Sequence, residues 1–453
     1  MTPRRLSPPV ALMGSFAVAI AAGTVLLRLP FSTHGEPLTL LEALFTATSA
    51  TCVTGLTVVD TGTRFTTFGQ CVILVLMQAG GLGIMTFAVL FAVLLGRRIS
   101  FTDRLVVQDS MHHSPSSELR RLLLHVVVFT FAVEAVGAAL LWLRWREEFG
   151  AGPGAYASVF FAVSSFCNAG FSLFPDSLVR YRGDAAVNLV VSALAVLGGL
   201  GFLVNMELRD QVVWRLRRRR PPRLSLHAKL VLAVTAWLLV AGVAGALLLE
   251  WGNLLGGLPW REKLLATWFQ AVVARTAGFN TVDFTQASTA TLFFTILLMF
   301  VGASPGSTGG GIKTTSLGLL LALAWARWRG YTRPMLFRRT IPDAVVNRAM
   351  AVTLVSWLVA SAALMLLTLF EQGTRPYGAA EPRFVALMFE AVSALGTVGL
   401  STGVTPRLTE ASQLLLVVLM FVGRVGPLTI ALLAGHRRGA GRFEYAEETV
   451  MVG

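Results

Sequence analysis

Residues 38–58, LTLLEALFTATSATCVTGLTV, form an apolar stretch that stops too soon to cross a membrane. The mostly apolar run 38–51 is followed by Cys52-Val53-Thr54-Gly55, and helix propensity falls sharply at the glycine. A helix needs roughly 20 residues to cross the hydrocarbon core of a bilayer. The stretch therefore predicts a short helix that enters the membrane and turns back.

The same pattern occurs three more times, around Gly170 in CNAGFS, Gly278 in RTAGFN and Gly399 in TVGLS. Each glycine is followed by Leu or Phe and is preceded, ten residues earlier, by an aromatic residue: Phe45, Phe160, Trp268 or Phe389. Six residues before the glycine stand Ser49, Ser164, Val272 and Ser393. Four such segments in register are an internal repeat. We divide the chain accordingly into repeats 1–98, 99–216, 217–330 and 331–453.

The composition is that of an integral membrane protein. Of 453 residues, 55% are hydrophobic and only 14% are charged, and the mean hydropathy is +0.68. The net charge of +14 does not indicate nucleic-acid binding, because 24 of the 38 lysines and arginines lie at the termini or in the joints between repeats. By the positive-inside rule, these joints and both termini are cytoplasmic and the short helices enter from outside.

Each repeat is predicted to contain a membrane span, a re-entrant pore helix and a second span. The fold class is all-α, with eight spans and four pore helices around a central pseudo-fourfold pore. An even number of crossings in each repeat makes all four point the same way, which places them in a ring about the membrane normal. The predicted spans are 10–27, 68–96, 122–143, 187–206, 230–249, 289–325 with an interruption, 349–370 and 411–434.

The glycine segments carry the predicted chemistry. Non-helical backbone at membrane depth is tolerated where it is buried in protein or lines water. Glycine allows backbone carbonyls to turn inward, and rings of carbonyls can replace the hydration shell of a cation. The predicted selectivity filter consists of the four segments Cys52, Val53, Thr54, Gly55; Cys167, Asn168, Ala169, Gly170; Arg275, Thr276, Ala277, Gly278; and Gly396, Thr397, Val398, Gly399. No nucleophile motif or metal-ligand spacing indicates an enzyme.

Several acidic residues have two interpretations. Asp60, Asp176 and Asp283 follow their glycines by five or six residues. They either concentrate cations at an outer mouth or are ordinary surface acids. Glu134 is alone in a predicted span, and it either serves transport or pairs with a neighbouring helix.

Two further features interrupt predicted spans. Residues 304–315, SPGSTGGGIKTT, cannot form a regular helix, and Ile312 separates the glycines from Lys313, which argues against a nucleotide-binding P-loop. Arg424 is a lone cation in the last span. Such a charge is expected to face the bundle interior and to meet a carbonyl or carboxylate.

The fourfold arrangement, with one glycine per filter segment, resembles the Trk/Ktr/HKT superfamily of K⁺ transporters, and within it the bacterial KtrB membrane subunits. The resemblance covers essentially the whole chain. Because all four glycines are present, it implies K⁺ as the transported ion, bound by backbone carbonyls. It also implies that loop 304–315 gates the pore and that Arg424 is an electrostatic barrier. The predicted gate comprises Gly306, Gly309, Gly310, Gly311, Lys313 and Arg424.

The same resemblance implies a homodimer in the bacterial plasma membrane, with lipid around it and one pore per protomer. A cytoplasmic KtrA-like ring would bind nucleotides, while this chain itself would hold no cofactor. The tail 444–453 would reach the dimer interface. Coupling to Na⁺ stays open, as do two alternatives: a TrkH-type subunit and a tetrameric-type cation channel.

Overall fold

The computed structural model describes residues 8–83, 116–218, 223–373 and 384–426. This part of the chain is mostly helical. Its helices are α1 (Pro8–Leu27), α2 (Leu40–Thr51), α3 (Thr61–Arg64), α4 (Thr67–Leu82), α5 (Ser116–Phe149), α6 (Ala151–Phe166), α7 (Ala185–Leu200), α8 (Phe202–Leu216), α9 (Leu226–Glu250), α10 (Trp260–Val273), α11 (Thr289–Phe300), α12 (Thr314–Trp328), α13 (Asp343–Gln372), α14 (Phe384–Gly396) and α15 (Glu410–Val425).

One small antiparallel hairpin departs from the all-helical expectation. Strands β1 (Met335–Leu336) and β2 (Arg339–Thr340) pair with each other. The turn between them places Phe337 and Arg338 at positive φ, a backbone that suits a tight hairpin turn. Nothing in the local sequence, which lacks the usual glycine or asparagine, signals this turn.

The opening helix of the first glycine segment, α2, begins with a capping box. The side chain of Thr39 accepts a hydrogen bond from the Glu42 backbone, and the Glu42 side chain accepts one from Thr39 N–H. The helix ends at Thr51 with Cys52 as its C-cap, and the next residue, Val53, adopts φ 56°. Val53 N–H donates to Ala50 O, and Thr54 N–H donates to Ser49 O, which is the pattern of a Schellman cap.

Four short helices precede the four glycines: α2, α6, α10 and α14. The sequence predicts the last three near 156–166, 261–274 and 383–395, and only α6 begins clearly earlier, at Ala151. Their C-terminal halves are almost entirely buried, with Phe45, Phe160 and Phe389 inaccessible to solvent. The short helices therefore occupy the centre of the molecule.

Longer helices surround this centre. Within the described ranges, three helices are long and apolar enough to cross a membrane by themselves: α5 from Leu124, α9 and α13. Their outward side chains include exposed apolar residues such as Val136, Leu248 and Met365, as expected for surfaces in contact with lipid. Helices α4 and α11 are shorter apolar helices. The remaining parts of the predicted spans 68–96 and 411–434 lie outside the described residues.

The predicted span 187–206 is not one straight helix. The chain bends by 112° between α7 and α8. Gly201 at the bend has φ +90°, and a methyl group there would lie 2.5 Å from Pro305 O. A residue without a side chain is therefore required at a position that the hydrophobic pattern shows only as the interior of a span.

Candidate ion pathway

The four glycines of the repeated segments lie side by side in a closed ring. A methyl group on Gly55 would lie 3.1 Å from the Cα of Gly170, and one on Gly170 would lie 2.8 Å from the Cα of Gly278. A methyl group on Gly278 would lie 3.3 Å from the Cα of Gly399, and one on Gly399 would lie 3.0 Å from the Cα of Gly55. The order around the ring is the order in the sequence.

Each glycine also leaves room for a carbonyl of the next segment. A methyl group on Gly55 would lie 2.5 Å from Ala169 O, and one on Gly170 or Gly278 would lie 2.9 Å from Ala277 O or Val398 O. On Gly399 it would collide with Thr54 O. All four glycines have positive φ, between 69° and 94°. Any side chain would therefore be strained by the backbone conformation and would press on a neighbouring segment.

A cavity of about 270 Å³ opens directly above this ring. Gly55, Gly170, Gly278 and Gly399 all line it. Their joint position makes the ring accessible from one side, which the predicted topology assigns to the outside.

Two of the three predicted mouth carboxylates line the same cavity. Asp60 and Asp283 do so, whereas the Asp176 carboxylate pairs with Arg180 at 3.0 Å. Burial raises the pKa of Asp283, but hydrogen bonds from Thr285 and Gln286 outweigh it and hold that pKa below its usual value. Asp283 therefore keeps its negative charge at neutral pH.

Serine side chains fix three of the four segments. Ser49 Oγ accepts a hydrogen bond from Gly55 N–H at 3.0 Å, and Ser164 Oγ donates to Phe171 O at 2.8 Å. Ser393 Oγ accepts from Gly399 N–H and donates to Leu400 O, at 3.1 and 2.6 Å. The third segment has Val272 at this position. The sequence showed the serines as register markers without indicating their role.

Glycines of the closing helices press against the ends of three short helices. A methyl group on Gly80, Gly198 or Gly423 would collide with the carbonyl of Thr51, Phe166 or Leu395, respectively. Each of these carbonyls belongs to the residue four before a ring glycine. The close approach of each closing helix to the end of its short helix therefore fixes the position of the ring glycine that follows.

The non-helical loop 301–313 separates α11 from α12 and lies against the underside of the segments. Asn168 Nδ2 donates to Thr308 Oγ1 at 2.9 Å, and Thr276 Oγ1 donates to Asn168 Oδ1 at 3.2 Å. Gly310 N–H donates to Thr397 Oγ1 at 3.0 Å. The polar residues two before the glycines of segments two, three and four thus all belong to the contact with the loop.

Two cations hold the same loop. The Arg424 guanidinium donates to Thr308 O and to Gly80 O. Lys313 Nζ donates to Gly309 O at 2.8 Å. The expectation of a carbonyl partner for Arg424 thus fits the geometry.

The structure brings together most of the predicted gate residues. A methyl group on Gly309 would lie 2.7 Å from Thr276 side-chain atoms, and Gly311 lies against Gly302 and the Gly396 carbonyl. Gly306 is different. It is exposed at the tip of the loop, and its carbonyl accepts a hydrogen bond from Phe202 N–H.

The remaining predicted filter residues are buried behind the ring. The side chain of Arg275 is 6% exposed, and its Nε has no hydrogen-bond partner in the described part of the chain. Cys52 and Cys167 are free thiols. Cys167 Sγ lies 3.8 Å from Gln78 Oε1 and 3.9 Å from Glu134 Oε1, and its one S–H can donate to either, so Glu134 contacts the end of the second short helix.

Sequence reasoning missed Glu390. Its carboxylate is inaccessible to solvent and accepts hydrogen bonds from Ser401 Oγ at 2.7 Å, Thr402 N–H at 3.0 Å and Thr405 Oγ1 at 2.7 Å. These donors form the outer end of the fourth segment. The only available signal was an acid within the apolar helix FVALMFEAVSALG.

Comparison with known proteins gives three concordant results. Residues 7–440 match the TrkH family, described as cation transport protein. The chain is 43% identical over 427 residues to the Ktr system potassium uptake protein B of Bacillus subtilis, covering 94% of this chain and 92% of that protein. It is 40% identical to the potassium/sodium uptake protein NtpJ of Enterococcus hirae, covering 99% and 98%.

A solved structure shares the fold. The potassium transporter TrkH from Vibrio parahaemolyticus superposes with a TM-score of 0.71 over 96% of this chain and 86% of that one, at 18% identity. At this level of identity the likeness concerns the arrangement of the helices.

Proposed function

The chain belongs to the TrkH family of cation transport proteins, and we propose that it is the ion-translocating membrane subunit of a Ktr-type K⁺ uptake system. The family membership agrees with the resemblance drawn from the sequence. The observation that carries the proposal is the closed ring of four glycines beneath an open cavity. The names of the two relatives support K⁺ as the ion.

In this proposal K⁺ enters the cavity from outside. Asp60 and Asp283 raise its local concentration, because two carboxylates at a recessed mouth attract cations. The ion then loses its water in the ring, where carbonyls such as Thr54 O and Ala169 O take the place of hydration oxygens. The Schellman caps and the serine hydroxyls keep these carbonyls in position.

Loop 301–313 acts as the gate beneath the ring. In the conformation described, it is held by Asn168 and Thr397 from above and by Arg424 and Lys313 from the side. Opening requires these hydrogen bonds to break and the loop to move aside. Its glycines allow that backbone change. The Arg424 charge then sets an electrostatic barrier to the leaving ion.

Assembly and orientation complete the proposal. We place both termini in the cytoplasm because the basic joints are on that side. The subunit forms a homodimer and binds a cytoplasmic KtrA-like ring, which carries any nucleotide control. Sodium dependence deserves a direct test because one relative is named a potassium/sodium uptake protein.

Growth of a bacterium that lacks K⁺ uptake, at low external K⁺, tests the transport function. The wild-type chain is expected to restore growth, and Gly278→Ala is expected to abolish it because the new methyl group would lie 2.9 Å from Gly170 Cα and Val398 O. The control is Gly257→Ala, which has a similar φ of 75° but open space around it. Failure of the wild type to restore growth, with or without Na⁺, would overturn the proposal.

Flux into liposomes tests the gate. Thr308→Val removes the hydroxyl that accepts from Asn168 and donates to Phe166 O, while keeping the side-chain shape. Losing two hydrogen bonds of about 1 kcal/mol each favours the displaced loop, so flux should rise several-fold. Thr353→Val is the control, because Thr353 Oγ1 bonds only to Ala349 O within α13. Unchanged flux in Thr308→Val would exclude this loop contact from gating.

A further inference from the structure

Helix α8 leaves the span α7 at a bend of 112° and so runs across the direction of that span. Its inner face packs on the beginning of α9, where Val204 and Leu208 meet Ala228 and Val231. Glu207 accepts hydrogen bonds from Ser225 N–H and Oγ, at 2.9 and 2.7 Å. The helix therefore has a fixed position at the end of α7.

The beginning of α8 is joined to the proposed gate. Phe202 N–H donates to Gly306 O at 3.1 Å. Just before it, Gly199 O accepts from Ser304 N–H at 3.0 Å and Gly198 O accepts from Thr308 N–H at 3.2 Å. The end of α7, the start of α8 and residues 304–308 thus form one hydrogen-bonded unit. We therefore expect a displacement of α8 to move the loop as well.

The C-terminal end of α8 exposes both apolar and basic side chains. Met206, Val213 and Leu216 are spaced to share one helix face. Val212, Trp214 and Leu216 are exposed, at 56%, 41% and 78%.

Three exposed arginines follow at the same end: Arg215, Arg217 and Arg218. None of them forms an ion pair with an acid among the residues that the structure describes. Exposed Trp, Val and Leu beside unpaired arginines, on a helix that turns away from a span, are typical of an element lying at the bilayer surface.

We propose that α8 lies on the cytoplasmic bilayer surface, where Arg215, Arg217 and Arg218 bind anionic phospholipid headgroups and thereby hold loop 301–313 under the ring. Basic segments at the inner leaflet are attracted to anionic lipid. The apolar side chains beside the arginines favour the bilayer over a soluble acidic protein. A ligand that binds the observed position of α8 stabilises it. This inference depends on the proposed gating role of loop 301–313. If that role holds, anionic lipid should lower K⁺ flux.

The first test is independent of transport. Phosphatidylglycerol retained by the purified protein is counted by native mass spectrometry. The variant Arg215→Gln/Arg217→Gln/Arg218→Gln should retain several-fold less than the wild type. The control Arg407→Gln alters an exposed arginine beside Pro406, which lines the cavity above the ring, and should retain the wild-type amount. Equal retention by the wild type and the triple variant would overturn the lipid site, whatever the transport result.

The second test measures K⁺ flux in vesicles of phosphatidylcholine with and without phosphatidylglycerol. Wild-type flux should fall several-fold with phosphatidylglycerol, and the triple variant should lose this dependence while the control keeps it. An unchanged dependence in the triple variant, or none in the wild type, would contradict coupling to the loop. If the triple variant differs only when the cytoplasmic partner is added, the surface is a protein-docking site. Absence of K⁺ flux in every vesicle would instead count against the proposed function.

Discussion

The segments around Gly55, Gly170 and Gly399 are anchored in one way and the segment around Gly278 in another. In segments one, two and four, the residue two before the glycine (Val53, Asn168 or Thr397) has positive φ. The N–H of the residue just before the glycine donates to the serine carbonyl five residues earlier, at 2.7 to 2.8 Å. In the third segment, Ala277 N–H donates to Val273 O at 3.1 Å, four residues earlier.

The support behind the segments differs in the same way. A closing helix presses a glycine against the short helix in repeats one, two and four. In repeat three the closing helix ends at Phe300, and loop 301–313 takes its place beneath the ring. Three segments are therefore built as fixed walls. The interrupted repeat supplies the loop that we propose as the gate, and the support of the other three segments does not depend on it.

The largest effect is expected at Glu390, whose carboxylate holds the outer end of the fourth segment. In Glu390→Gln the amide nitrogen cannot accept the hydrogen bonds that a carboxylate oxygen accepts, and each buried donor left unpaired costs about 1–3 kcal/mol. Thermal stability and the K⁺/Na⁺ flux ratio should both fall. Glu371→Gln is the control, since that carboxylate accepts from Thr409 at an exposed site. A wild-type flux ratio in Glu390→Gln would mean that the carboxylate does not position the filter.

A smaller loss is expected for Ser393→Ala. The change removes the bonds to Gly399 N–H and Leu400 O, at a cost of about 1–2 kcal/mol. Selectivity should fall with stability, because both groups flank the ring. The matched variant Ser356→Ala removes a buried hydroxyl that bonds only to Val352 O in its own helix. If Ser393→Ala and Ser356→Ala lose the same stability and neither changes selectivity, Ser393 is only a packing residue.

The variant Val272→Ser tests whether the third segment differs from the others only in lacking the serine hydroxyl. Because its backbone ends differently, the new hydroxyl should not reach Gly278 N–H and should instead cost about 1–3 kcal/mol as a buried polar group. The flux ratio should stay at the wild-type value. A gain in stability would show that the third segment is equivalent to the others.

The smallest effect is expected at the mouth, where Asp283 lines the cavity beside the third segment. Asp283→Asn should lower K⁺ uptake at low K⁺ by about twofold in dilute buffer and have no effect in high salt, since salt screens the attraction. Because the pKa of Asp283 is below that of an ordinary aspartate, the wild-type carboxylate stays charged in the pH range where ordinary aspartates become protonated. It loses its charge only at lower pH. Asp176→Asn, outside the cavity lining, should be neutral, and an equal loss in both variants would contradict a local role.

The positions of the short helices and glycines could be predicted because they repeat with a fixed offset and follow from helix length against bilayer thickness. The break at Gly201 could not, because glycine within an apolar run is as compatible with helix packing as with a bend, and the loop that requires the bend lies a hundred residues away. Glu390 was missed for a similar reason. Its donors Ser401 Oγ, Thr402 N–H and Thr405 Oγ1 come to it only through the turn at Gly399.

The central claim is that carbonyls at the four-glycine ring bind the transported ion. Its most direct test is the anomalous difference density of crystals grown with Rb⁺ in place of K⁺. We predict a peak on the axis of the ring, at the level of the Thr54, Ala169, Ala277 and Val398 carbonyls, and we predict that this peak disappears in Gly278→Ala. Rb⁺ found only in the cavity near Asp60 and Asp283, with none at the ring, would contradict it.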